Sequence, residues 1–95
     1  MNNYELMIIV NAQMPQDAKE NIFKQAVDVV AKAGGKVLNS IIWLEKHKFA
    51  FKIKHCWEGT YYLIKFESAA SLVDKIKPLL RLNETILRFA IIRAE

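Results

Sequence analysis

Few side chains in this 95-residue chain have the chemistry of a reaction centre. The metal-ligating and nucleophilic candidates are His47, His55 and Cys56. Adjacent residues on a strand point to opposite faces, so His55 and Cys56 make a poor chelate, and neither HxxxH nor CxxC spacing occurs. The lone cysteine forms no intrachain disulfide and fits a reducing compartment. With three glycines in all, the phosphate-loop and dinucleotide patterns are absent, and no serine stands in a nucleophile elbow. The residues therefore predict no catalytic group, no metal and no cofactor. What stands out is cationic: Lys46, Lys48, Lys52 and Lys54 fall within nine residues, a run of ammonium groups suited to a polyanion.

Those lysines must be positioned by a hairpin. From Trp43 to Phe66, two segments of alternating character flank the break His55-Cys56-Trp57-Glu58-Gly59. Period-two alternation around a glycine-containing break reads as a β-hairpin. Alternation predicts Phe49, Phe51 and Ile53 on the core face and Lys48, Ala50, Lys52 and Lys54 on the other. Trp43 and Trp57 read first as packing residues, with Trp57 at the hairpin tip in reach of a partner.

Around the hairpin the period changes several times. Tyr4 to Val10 is apolar on both sides, as a central strand requires. Residues 16–33 carry a helical stripe of Ile22, Phe23, Ala26, Val27 and Val30, with Lys19, Glu20, Lys24, Asp28 and Lys32 mainly off it. Gly34-Gly35 ends that helix. A long strand follows from about Val37 to Lys54, with an irregularity expected near Asn39-Ser40 or Leu44-Glu45. After the return strand, Ser68 is the expected N-cap of a second helix carrying Leu72, Val73, Ile76, Leu79 and Leu80, which Pro78 should kink or limit. Ile86 to Arg93 is the last strand, with Phe89 and Ile91 inward and Arg88, Ala90 and Ile92 outward. The order β-α-β-β-α-β is the split βαβ of the α+β, ferredoxin-like fold. It implies a four-stranded antiparallel sheet in order 4-1-3-2 with two helices on one face, in one domain over residues 1–95.

The uncovered face then presents Glu5, Met7 and Ile9, Tyr61, Leu63 and Lys65, and Arg88, Ala90 and Ile92, margined by the lysines of the second strand. An apolar face left open marks an interaction surface. Glu5 and Arg88 are expected to form a structural ion pair across neighbouring strands. Charge is unevenly placed within a net of +4: residues 1–45 hold four Lys/Arg against five Asp/Glu, and residues 46–95 hold ten against five. The basic second half suggests a polyanionic partner. Lacking a basic n-region or a long apolar run, the chain reads as cytosolic or organellar-interior, with no membrane association. An RNA-recognition motif shares this topology. Its third-strand consensus, however, would have to fit Gly59-Thr60-Tyr61-Tyr62-Leu63-Ile64-Lys65-Phe66, which offers Tyr61 outward and Leu63 where a second aromatic should stand.

Several short pieces, taken in order, carry a resemblance. They are Tyr4-Glu5, Gly35, Phe49-Ala50-Phe51-Lys52-Ile53 where L-A-Y-P-I is usual, Gly59-x-Tyr61, Leu80-Arg81-Leu82-Asn83-Glu84 and Ile86-Leu87-Arg88. Over essentially its whole length the chain resembles the ribosomal protein S-six family of the bacterial small subunit. The resemblance implies a ferredoxin-like, non-enzymatic ribosomal component of the cytoplasm or an organelle. It would bind the central domain of small-subunit ribosomal RNA together with ribosomal protein S-eighteen. By position it implies RNA or partner contacts at Lys46, Lys48, Lys52, Lys54, Arg81 and Arg88, while the open face supplies Met7, Ala50, Tyr61, Leu63 and Ile92 as the expected partner contacts. Glu45 replaces the glycine usual before the basic pair, Lys52 replaces the strand proline, and the chain stops at Glu95 without the tail many members carry. The competing reading is a homodimeric ferredoxin-like enzyme or small-molecule sensor, which like-charged sheets would oppose by repulsion.

Overall fold

A computed structural model describes residues 2–54 and 56–94. Its elements are β1 (Asn2–Asn11), α1 (Gln16–Lys32), β2 (Lys36–Ile53), β3 (Cys56–Ser68), α2 (Ala70–Arg81) and β4 (Ile86–Ala94). The strands form one antiparallel sheet in order β2-β3-β1-β4, the expected 4-1-3-2 read from the other edge. Leu6, Ile8 and Val10 of β1 and Tyr62, Ile64 and Phe66 of β3 turn to the helices, meeting Ile22, Ala26 and Val30 of α1 and Val73, Ile76 and Leu80 of α2. All these side chains are buried, and each Val, Leu, Ile or Phe among them contributes about 1.5–3 kcal/mol by leaving water.

The end of α1 follows from its two glycines. Gly34 has φ 102°, a left-handed value that a Cβ would strain. The Gly34 N–H donates to Ala31 O and the Gly35 N–H to Val30 O, the paired bonds of a Schellman stop. Two other helix expectations are corrected. Ser68 is not the N-cap of α2: it is still paired in β3, buried, and its hydroxyl donates to Ala69 O at 3.1 Å. Ala69 holds the cap position without a side-chain bond. Lys19, placed off the apolar stripe, is buried; its stem lies along the core and its Nζ donates to Ala12 O and Thr60 Oγ1, each at 3.4 Å.

The irregularities expected in β2 near Asn39-Ser40 and Leu44-Glu45 are both present, but the facing expected beyond them is corrected. The pairing of β2 with β3 shifts register between Val37 and Asn39, Ile42 and Leu44, Leu44 and His47, and Lys48 and Ile53. Each extra residue reverses the facing of those that follow. His47 therefore lies opposite Gly59, and Phe49 turns onto the sheet face away from the helices. Phe51 is 63 % exposed rather than part of the core. The Thr60 hydroxyl clamps this irregular stretch by donating to Glu45 O at 2.6 Å.

Candidate nucleic-acid and partner interface

Two surfaces emerge, one apolar and one cationic. On the open face, register sets Met7 opposite Leu63 on one side and Ala90 on the other, Glu5 opposite Ile92, and Ile9 opposite Tyr61. Met7, Leu63, Tyr61 and Ile92 thus lie together, as the sequence suggested, with Ile92 58 % exposed at the β4 margin. Ala50 does not join them. It is exposed on a two-stranded ribbon that continues past the last β1–β3 pair, Asn11 with Gly59. Adjacent to Phe49 on the strand, it faces the opposite way.

The open face is less open near the ribbon. Ile9 is only 4 % exposed, because Phe49 lies over it; a Cβ built on Gly59 would come within 2.5 Å of Phe49 Cζ and 2.6 Å of Ile9 Cγ2. A side chain at position 59 would have to push one of them aside, which accounts physically for glycine there. Tyr61 is ringed edge-on by Trp43 at 6.0 Å and His47 at 5.3 Å, with Phe49 at 6.4 Å. These rings crowd Tyr61 on the open face, and Leu63 stands where an RNA-recognition motif places its second stacking aromatic. The expected Glu5–Arg88 pair is also absent. Arg88 lies opposite Ile9, four residues along β1 from Glu5, or about 13 Å at the strand rise.

The cationic surface begins on the ribbon. Lys46, Lys48 and Lys52 are exposed there, and Lys52 Nζ sits 5.5 Å from the centre of the Trp57 ring. At the tip, Lys54 takes φ 48°, and its Nζ donates to Ile86 O at 3.3 Å, tying the ribbon to the start of β4. That contact brings Lys54 to a groove of about 560 Å³ between α2 and the β4 edge, whose cations are Lys54, Lys77, Arg81 and Arg88. In sequence Lys54, Arg81 and Arg88 belong to three separate places, the hairpin tip, α2 and β4; the fold gathers them. The sequence reading missed Lys77, which the helical spacing signals: Lys77 and Arg81 are i and i+4 and share one face of α2. Arg81 also lies 6.0 Å over the Phe89 ring, which fixes the guanidinium at the groove wall. His55 lies outside the described residues. Among the described residues, no group of three or more His, Cys, Asp or Glu is placed to hold a metal.

An uncovered apolar sheet face beside a cationic groove defines a class: small α+β proteins built to lie against other macromolecules. The comparisons with known proteins agree. The family model for Ribosomal protein S6 matches residues 3–93. The small ribosomal subunit protein bS6 of Micrococcus luteus is 37 % identical over 95 residues, covering all of this chain and 93 % of that protein. The bS6 of Clostridium acetobutylicum is 32 % identical, covering all of this chain and 99 % of that one. The crystal structure of 30S ribosomal protein S6 from Thermotoga maritima superposes with a TM-score of 0.89 at 24 % identity, over 98 % of this chain and 87 % of that one. The chain belongs to the ribosomal protein S6 family. It is a protein of the small ribosomal subunit, in the cytoplasm, with ribosomal RNA and ribosomal proteins as its surroundings, and its family is structural rather than catalytic.

Proposed function

We propose that residues 1–95 act as a single ferredoxin-like domain that binds the central domain of small-subunit ribosomal RNA jointly with ribosomal protein S-eighteen. The carrying observation is the convergence of Lys54, Lys77, Arg81 and Arg88 on one groove, continued along the ribbon by Lys46, Lys48 and Lys52. Four cations around one concavity suit consecutive phosphates, and guanidinium groups add bidentate hydrogen bonding to phosphate oxygens. The apolar patch of Met7, Tyr61, Leu63 and Ile92 suits a protein partner; Ala50, on the ribbon, would meet that partner only at its margin. RNA would therefore occupy the groove side and protein the sheet side.

The test separates the two surfaces. An Arg81→Glu/Arg88→Glu variant should lose affinity for the central-domain RNA while still binding the protein partner. Ile92→Glu should weaken the partner by about 1–3 kcal/mol, the scale for desolvating an unpaired polar group, with RNA binding alone unchanged. Both are read by titration with purified components. Equal effects of both variants on both ligands would refute the division.

A further inference from the structure

We infer that the ribbon tip carries a cleft for one unpaired nucleobase, formed by Lys48, Phe49, Trp57 and Glu58. This inference rests on the RNA-binding reading above and adds to it a contact with a base rather than with phosphates. The cleft has a volume of about 260 Å³. That is below the roughly 300–1,000 Å³ of pockets for drug-sized ligands and suited to a single flat ring system. Two of its four lining residues are aromatic. Trp57, expected from the sequence to pack, is instead 55 % exposed, so its indole is available to stack. Lys52 Nζ approaches the same indole at 5.5 Å, and Lys48 stands at the cleft itself. Aromatic surface interleaved with ammonium groups is what unpaired nucleotides stack on while their phosphates are neutralised.

Glu58 gives the cleft its selectivity. Its backbone is fixed, the carbonyl accepting from the Ala12 N–H at 3.2 Å, and the half-buried residue borders the cleft directly opposite Lys48. A carboxylate only accepts hydrogen bonds, so it favours a base edge bearing an amino donor and disfavours one bearing a carbonyl at the same position. Between the pyrimidines this means cytosine, which presents its N4 amino group, over uracil, which presents O4. The surrounding charge argues for RNA over a protein segment. Lys46, Lys48, Lys52 and Lys54 outnumber Glu45 and Glu58 on this ribbon, and the sheet patch already offers an apolar surface for protein.

The experiment uses the full chain carrying Trp43→Phe, so that Trp57 is the sole tryptophan. Octameric oligocytidylate should quench its emission, whereas an abasic octamer of equal charge should bind through the lysines without quenching. Trp57→Ala, in the chain otherwise unaltered, should lower oligocytidylate affinity about 5- to 150-fold, the range for losing one base–aromatic stack. Trp57→Phe should restore most of that affinity. Glu58→Gln should erase the preference for oligocytidylate over oligouridylate without changing the salt dependence. Unchanged affinity in Trp57→Ala would overturn the base cleft while leaving RNA binding intact, provided a variant with alanine at Lys46, Lys48, Lys52 and Lys54 still loses it. If the parent protein binds no oligonucleotide, both readings fall. Quenching by the protein partner but not by oligocytidylate would reassign the cleft to a protein contact.

Discussion

At the residue scale, Tyr62 is buried with a polar group left unsatisfied among the described residues. Its ring stacks on Phe23 with centroids 4.4 Å apart, yet its buried hydroxyl has no hydrogen-bond partner there. Burial, and then the carboxylates of Glu20 and Glu45, push its pKa up from the ordinary value of 10.0. The folded protein therefore holds the phenolic proton more tightly than the unfolded chain. Stability from this group is full below pH 10 and is lost as pH rises toward the raised folded value. Tyr62→Phe keeps the stacking and removes the orphan hydroxyl. It should leave stability unchanged or raise it by about 1 kcal/mol at pH 7 and flatten the decline above pH 10, as read by denaturant melts across pH. Equal alkaline sensitivity in the variant would place the titrating group elsewhere.

At the element scale, the ribbon of β2 and β3 decides how the surface is read. Phe51 and Phe66 have the same side chain and both sit in segments of alternating pattern, but their environments differ completely. Phe66 is fully buried in contact with Tyr4, rings 5.6 Å apart, whereas Phe51 lies on the solvent side of the ribbon. Phe66→Ala should cost about 3–5 kcal/mol, the usual result of emptying a core aromatic site. Phe51→Ala should stay within about 0.5 kcal/mol, as exposed substitutions do. Parallel denaturant melts settle this. A large loss for Phe51→Ala would mean that the ribbon packs on the domain through that ring.

At the scale of the whole molecule, cationic charge collects on the ribbon and the groove, where exposed Phe51 and Trp57 are interleaved with it. The basic half of the sequence folds into the ribbon, the C-terminal half of α2 and the β4 margin, while the open sheet keeps its apolar centre. Charge collected in this way gives long-range attraction to a polyanion, and the sheet centre remains as an apolar patch for a neighbour. If the four groove cations neutralise about four phosphates, log Kd for single-stranded RNA should rise with log salt with a slope of roughly 3, from about 0.7 per contact. Titrations at several salt concentrations measure it. A slope near zero would show that contacts other than phosphate pairs hold the RNA.

Local pattern was enough to establish much of this. The element order, the central position of β1, the glycine stop after Ala33, the outward set Met7, Leu63, Ala90 and Ile92, and the basic character of the second half were all legible. Each depends on periodicity or composition, which neighbours in sequence determine between themselves. What pattern could not decide was the facing of β2 beyond Ile42, because facing there depends on how many residues of one strand oppose those of another. The Thr60 hydroxyl on Glu45 O, the buried Lys19 amine behind it and the Phe49 ring filling the space above Gly59 set that count. All three are contacts between residues distant in sequence. The same reason placed Ser68 in a strand instead of a cap, since pairing with Asn2 competes with helix initiation. It also joined Lys54 to Arg81 and Arg88, for only the curl of the ribbon onto Ile86 O brings a hairpin tip to the far edge of the sheet.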